Sequence, residues 1–193
     1  MAAGFFTMNF MVNFYLKLTK DKMRDIDFGK IRLLVLDVDG VLSDGCICMT
    51  SEGVEMKSFS VKDGSGLKYW QRAGGKIAWI TGRESPLVSA RAEELGVDIV
   101  RQGCKTKLPV YEEVLASFNA APQEVAVLGD DLPDLPMLLR CGLAATPADG
   151  VGELRRRVDY VCKTPGGRGC VRELVELILK KSGRWEQIMA RYL

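Results

Sequence analysis

The chain has 193 residues, a formal net charge of +2 and no histidine. That length holds one domain with a substantial core, and the near-balanced charge gives no pull toward nucleic acid or a membrane surface. Without imidazole, Ser-His-Asp and Cys-His nucleophile systems and His-ligated zinc are excluded, so acid–base work falls to carboxylates, lysine, tyrosine or water. Six cysteines (Cys46, Cys48, Cys104, Cys141, Cys162 and Cys170) are scattered with no CxxC spacing. They are expected to be reduced, mostly buried thiols of a cytoplasmic protein.

Residues 4–18 are apolar and aromatic but interrupted by Asn9 and Asn13. The stretch is too short to span a bilayer, and no positive charge precedes it as in a signal peptide. It is expected to be a docking segment, or to lie ahead of a later start at Met8, Met11 or Met23, and not to anchor the chain in a membrane. Residues 31–36 form a short apolar run, the pattern of a strand buried on both faces in a parallel sheet. The run ends in Asp37-Val38-Asp39-Gly40. Asp37 therefore falls at a strand's carboxyl end, where open α/β sheets bind their ligands. Asp37 and Asp39 are two residues apart and point to one side in extended chain; Gly40 permits the turn that follows. Two carboxylates so close repel unless a cation lies between them or one keeps a proton. Either this is an Asp-rich turn, or one acid attacks or binds metal while the other shuttles a proton.

Residues 47–50 and 54–59, on either side of Ser51-Glu52-Gly53, read as a β-hairpin. Lys62-Asp63-Gly64-Ser65-Gly66 reads first as an ordinary loop, and second as an anion seat because its glycines leave N–H groups free, ahead of a helix over 67–73 that stops at Gly74-Gly75. A strand over 77–80 ends in Thr81-Gly82-Arg83. Ser85 caps and Pro86 opens a helix that carries Arg91 and stops at Gly96. A strand over 98–100 follows, then Lys105 and Lys107 ahead of a helix over 108–118. The strand over 125–128 ends in Gly129-Asp130-Asp131-Leu132-Pro133-Asp134, which leads into a short helix over 135–139. Strands at 143–145 and 160–162 close the sheet around another short helix, and Gly166-Gly167-Arg168-Gly169 opens an amphipathic helix over 171–179. Strands alternating with helices predict an α/β fold with a doubly wound parallel sheet, a small hairpin excursion and no second domain. Three strand ends then bring Asp37, Asp39, Thr81, Asp130, Asp131 and Asp134 to one crevice, joined by Lys107 from a helix start. Singly, each has an ordinary reading as a turn hydroxyl, a solvated charge or a helix cap. Jointly, carboxylates with a hydroxyl and a lysine suit Mg²⁺ and a phosphoryl group.

Asp37-Val38-Asp39-Gly40-Val41-Leu42, Thr81-Gly82-Arg83, Lys107 and Gly129-Asp130-Asp131-Leu132-Pro133-Asp134 resemble the four motifs of the haloacid dehalogenase (HAD) superfamily. Phe59-Ser60-Val61-Lys62-Asp63-Gly64, Gln102-Gly103 and Gly166-Gly167-Arg168-Gly169-Cys170-Val171-Arg172-Glu173 resemble its capless subclass, in particular the phosphatases of 3-deoxy-D-manno-octulosonate 8-phosphate (KDO 8-phosphate) in lipopolysaccharide biosynthesis. The resemblance covers residues 31–181, leaving 1–30 as an N-terminal extension and 182–193 as a C-terminal tail. It implies a Rossmann-like HAD fold without a cap domain, and Mg²⁺-dependent hydrolysis through an aspartyl-phosphate. Asp37 would be the nucleophile, and Asp39 would protonate the leaving oxygen and then activate water. Mg²⁺ would be held by the Asp37 carboxylate, the Asp39 backbone carbonyl and Asp130, with Asp134 supporting its water shell.

The same resemblance implies that Thr81 and Lys107 bind the phosphate. Ser60, Val61, Lys62, Asp63, Gly64, Lys68, Arg83 and Arg91 would surround the sugar acid, beside Asp39 and Lys107. Lys62 and Lys68 stand where arginine is familiar, keeping the charge without the bidentate geometry. It also implies a homotetramer, with the hairpins at 46–59 packed centrally and a neighbour's glycine-rich tail closing the site, and neither a nucleic-acid nor a membrane partner. Two alternatives stand beside this. One is a phosphatase for a nine-carbon sugar-acid 9-phosphate, in which glutamate is familiar at the position of Arg83. The other is a non-catalytic HAD-like oligomerisation domain of the sialic-acid cytidylyltransferase type, which lacks the paired aspartates.

Overall fold

The computed structural model describes residues 25–193. The apolar stretch over 4–18 lies outside the described residues. The run after residue 31 forms strand β1 (Leu33–Leu36), buried at every position. Next comes a small antiparallel hairpin, β2 (Cys48–Met49) paired with β3 (Glu55–Met56). Its strands are two residues each, shorter than the four and six expected, because their faces are exposed and little beyond the turn holds them. The main sheet continues with β4 (Lys76–Ile80), β5 (Ile99–Arg101), β6 (Val125–Leu128), β7 (Leu143–Thr146) and β8 (Tyr160–Val161). All six of its strands are parallel, in the spatial order β5-β4-β1-β6-β7-β8. The register sets Leu36 beside both Trp79 and Leu128. The residues that follow β1, β4 and β6 therefore emerge side by side at one edge, which is where the doubly wound topology places its ligand.

Helices cover both faces: α1 (Val61–Arg72), α2 (Pro86–Leu95), α3 (Lys107–Ser117), α4 (Leu135–Leu138), α5 (Gly152–Arg155), α6 (Cys170–Lys181) and α7 (Trp185–Met189). The alternation of β1 divides the core. Leu34 and Leu36 pack with Trp70 of α1, Val88 of α2 and the apolar stripe of α6, whereas Leu33 and Val35 pack with Tyr111 of α3, Met137 of α4 and Leu154 of α5. Residues 182–193 fold back onto the first of these cores through α7, where Ile188 is buried and Trp185 meets the Tyr69 ring edge-on at 6.1 Å. No helix among the described residues is long and apolar enough to cross a membrane.

Three local expectations are corrected. Lys62-Asp63-Gly64-Ser65-Gly66 is the opening of α1, not a loop or an anion seat; Ser60 is the N-cap, its side chain accepting from the Asp63 N–H. Glycine disfavours helix by about 1 kcal/mol, but packing selects it here. A Cβ on Gly66 would stand 2.9 Å from the Arg172 Cα, and one on Gly64 would stand 2.6 Å from Arg91 Nη2. Ser85 precedes α2 in extended conformation without capping it; its hydroxyl donates instead to Glu55 Oε2 at 2.7 Å. None of the six cysteines forms a disulfide, but only Cys141, Cys162 and Cys170 are buried, while Cys46 and Cys48 on the hairpin are exposed.

Candidate active site

The Asp37 N–H donates to the Leu128 carbonyl at 3.0 Å, continuing the β1–β6 ladder one residue past the strand. The chain then turns sharply, with the N–H groups of Leu42 and Ser43 both returning to the Val38 carbonyl at 2.9 and 3.0 Å. Gly40 sits at φ +90°, and a Cβ there would fall 2.1 Å from Asp130 Oδ2. Only glycine lets the carboxylate at the end of β6 come this close to the loop after β1.

Asp37, Asp130 and Asp134 present carboxylate oxygens that all lie within 4.8 Å of one another. Lys107, the first residue of α3, places Nζ 2.7 Å from Asp37 Oδ1 and 2.7 Å from Asp134 Oδ1. Asp134 Oδ2 accepts the N–H groups of Asp130 at 3.0 Å and Asp131 at 3.3 Å, which curls the loop after β6. Asp131 lines the same crevice and also accepts the Leu132 N–H at 2.7 Å, as a helix cap does. Burial, then the charges of Asp37 and Asp134, push the Asp130 carboxyl up to about 8. Burial and Asp37 push Asp134 to about 6, against the pull of Lys107. Burial opposes the charge on Lys107, but Asp134 and Asp37 outweigh it and hold the ammonium above its ordinary range. One ammonium does not balance three close carboxylates, and an all-oxygen donor set fits a hard cation such as Mg²⁺.

Thr81, buried at the end of β4, joins Asp37, Asp39, Arg83, Lys107 and Asp130 around a cavity of about 330 Å³. Asp39 Oδ1 accepts the Ser43 hydroxyl at 3.4 Å and meets the Lys57 ammonium. Arg83 Nε stands 3.9 Å from Asp39 Oδ2, and Arg83 Nη2 donates to Glu55 Oε1 at 3.0 Å. The Ser85 hydroxyl above all, with Arg83 and Lys57, holds the Glu55 carboxyl below its ordinary range. Glu55 and Lys57 were not singled out from the sequence. Their signal was the spacing of two, which puts both on one side of an extended strand.

Within one chain the other expected substrate contacts do not reach this cavity. Val61, Gly64, Lys68 and Arg91 line a second cavity of about 330 Å³ with Arg72 and Tyr192. Lys68 Nζ donates to the Leu95 carbonyl at 2.6 Å, and Arg91 pairs with Glu94 at 2.7 Å. Ser60 is occupied as a cap and Lys62 is exposed. Asp63 is 1% exposed and accepts the N–H groups of Gly169 at 3.0 Å and Arg172 at 2.8 Å, so it ties α1 to the start of α6. The glycine-rich segment rests on its own chain: Gly167 N–H donates to the Val41 carbonyl at 2.9 Å, and a Cβ on Gly166 would lie 1.9 Å from the Gly40 oxygen.

The profile of the haloacid dehalogenase-like hydrolases matches residues 59–142. The 3-deoxy-D-manno-octulosonate 8-phosphate phosphatase KdsC of Escherichia coli K12 is 43% identical over 157 residues, covering 81% of this chain and 84% of that protein. Among solved structures, the phosphatase of the same name from Yersinia pestis is 42% identical with a TM-score of 0.81, covering 82% of this chain and 86% of its own. That from Moraxella catarrhalis, solved with magnesium, phosphate and KDO, is 38% identical with a TM-score of 0.84, covering 86% and 95%. The paired aspartates, the acidic cluster under Lys107 and these likenesses lead to one conclusion: the chain is a HAD-like hydrolase and belongs to the family of the 3-deoxy-D-manno-octulosonate 8-phosphate phosphatases.

Proposed function

We infer that the chain is a Mg²⁺-dependent phosphatase that hydrolyses KDO 8-phosphate to KDO and phosphate, as a step of lipopolysaccharide biosynthesis. The observation that carries this is the meeting of Asp37, Asp130 and Asp134 around Lys107 at the carboxyl edge of the sheet. Asp37 attacks the phosphorus as the bond to the sugar oxygen breaks, and Asp39 gives that oxygen its proton. Asp39 then takes a proton from water as water displaces Asp37 from the phosphoryl group. Lys107 and Thr81 hold the non-bridging oxygens, where positioning and charge do most of the work. The Asp37 and Asp130 carboxylates and the Asp39 carbonyl would hold Mg²⁺, with Asp134 behind them; the ion supplies positive charge for the phosphoryl oxygens.

Arg83 lines this cavity beside Thr81, and we take it to face the substrate carboxylate, which favours the eight-carbon acid over the nine-carbon alternative. The presence of both Asp37 and Asp39 speaks for catalysis over a purely structural role. Exposed Ile47, Met49, Val54 and Met56 on the hairpin support self-association, which we take to be a homotetramer working in the cytoplasm. Within it, Lys68 and Arg91 would face a neighbour's site. The test is a panel of sugar phosphates assayed with Mg²⁺, on wild type and Asp37→Asn. KDO 8-phosphate is expected to be the best substrate and Asp37→Asn to be folded but inactive. Near-normal turnover by folded Asp37→Asn would exclude it as the nucleophile.

A further inference from the structure

The hairpin sends into the site a lysine that none of the motifs accounts for. Lys57 follows β3 on an otherwise exposed excursion, yet its side chain is only 2% exposed. Its ammonium meets Asp39 Oδ1, and Glu55 Oε1 lies 3.7 Å from the same Nζ. The two oxygens of Asp39 are therefore unlike. Oδ1 is held by Lys57 and, at 3.4 Å, by the Ser43 hydroxyl. Oδ2 is buried with no hydrogen-bond partner, and Arg83 Nε at 3.9 Å is too far to count as one. A lysine ammonium donates and never accepts, so an oxygen that receives it is not the one that carries a proton toward a substrate. A buried polar atom left unpaired costs free energy, and an atom kept in that state at a site is kept for something that arrives.

We propose that Lys57 is a positioning residue for proton transfer, clamping Asp39 Oδ1 so that Oδ2 alone faces the leaving oxygen and then the attacking water. The proposal rests on the reading of Asp39 as the acid–base group of a phosphatase. In the first half-reaction the bond from Asp37 to phosphorus forms, the bond to the sugar oxygen breaks, and the proton on Asp39 Oδ2 passes to that oxygen. In the second, water bonds to phosphorus, its proton passes to Asp39 Oδ2, and the bond to Asp37 breaks. Glu55 completes the clamp. It lies between the Lys57 ammonium and the Arg83 guanidinium, and is itself fixed by Ser85. The hairpin thus orients the acid, while the sheet orients the nucleophile.

The test compares wild type, Lys57→Met and Lys57→Gln on KDO 8-phosphate, whose leaving alkoxide needs a proton, and on p-nitrophenyl phosphate, whose leaving group does not. Positioned acid–base catalysis contributes about 10²–10⁴-fold. Lys57→Met should lower kcat on KDO 8-phosphate by about 10²-fold with KM changed by less than about threefold. On p-nitrophenyl phosphate it should release a first equivalent of nitrophenol at close to the wild-type rate and then slow, because water activation still depends on Asp39. Lys57→Gln, which offers a neutral donor to the same oxygen, should recover part of the loss.

Four results overturn the proposal: Lys57→Met turning over KDO 8-phosphate like wild type; equal loss of the first turnover on both substrates; a rise in KM at unchanged kcat, which would make Lys57 a phosphate ligand; or loss of the folding transition in both variants, which would assign Lys57 to the fold. Inactivity of wild type itself with Mg²⁺ on every sugar phosphate would instead remove the phosphatase reading.

Discussion

Lys107→Met removes the ammonium that lies 2.7 Å from both Asp37 and Asp134 and keeps most of the apolar stem. Each charge-assisted hydrogen bond is worth about 1.5–3 kcal/mol, and removing one member of a buried ion pair costs about 3–5 kcal/mol because its partners stay buried. The loss must depend on pH. Asp130 and Asp134 titrate at about 8 and about 6 in the folded chain, raised from 3.8. A carboxyl raised on folding stabilises the fold at low pH; that contribution is full below about 3.8, falls as pH rises, and is gone above the folded value, about 6 for Asp134 and about 8 for Asp130. Without Lys107 both carboxyls move further up and take protons more readily. Near pH 6 that uptake blunts the penalty; near pH 8.5, without metal, the variant should lose about 3–5 kcal/mol. Urea denaturation of the metal-free protein at both pH values measures this, and Mg²⁺ should restore part of the loss. Activity should fall by about 10²–10³-fold even with Mg²⁺, the size of losing one electrostatic contact to the reacting group. Equal destabilisation at both pH values, or turnover within about threefold of wild type, would falsify the account of Lys107 as counter-charge to this cluster.

Arg83→Ala should lower kcat/KM for KDO 8-phosphate by about tenfold to a hundredfold, the size of one charge-assisted contact, with much less effect on a small phosphate ester lacking a carboxylate; equal losses on both substrates remove the sugar-acid role. Mg²⁺ affinity, measured by calorimetry, should weaken as pH falls below about 8, by close to tenfold per pH unit, because the ion must displace the proton from Asp130; a flat profile between about pH 6 and about pH 8 contradicts that. Gly66→Ala gains up to about 1 kcal/mol of helix propensity but drives a Cβ to 2.9 Å from the Arg172 Cα, an overpacking cost of about 1–3 kcal/mol. The urea midpoint should fall, and a rise would mean that α1 and α6 separate more easily than their packing implies.

The strand ends were legible because burial on both faces writes an unbroken apolar run, and the residue that breaks it must be the one at the edge. Asp37, Thr81 and Asp130 each follow such a run, and the register of β1 with β4 and β6 brings them together. Gly64 and Gly66 were misread because glycine signals a loop locally, while the demand for close approach to Arg91 and Arg172 is set by chain distant in sequence. The tie that Asp63 makes was hidden for the same reason: its partners Gly169 and Arg172 arrive more than a hundred residues later. Glu55 and Lys57 escaped notice because a short hairpin carries alternating charges whether or not they are used. Nothing in their local sequence says that this alternation faces Asp39.

The contact of Gly166 with Gly40 orders events during synthesis. Among the described residues β1 is the first strand to be made, and it lies inside the sheet, so neither β4 nor β6 yet exists when it emerges from the ribosome. The carbonyls of its loop then wait for residues 166 and 167 to close over them. Contacts so far apart in the chain form late. The loop after Asp37 therefore gains these backbone neighbours only once residues 166 and 167 have been made. A protease cut between β8 and α6 would leave every described strand uncut and still untie the segment that rests on the loop after Asp37.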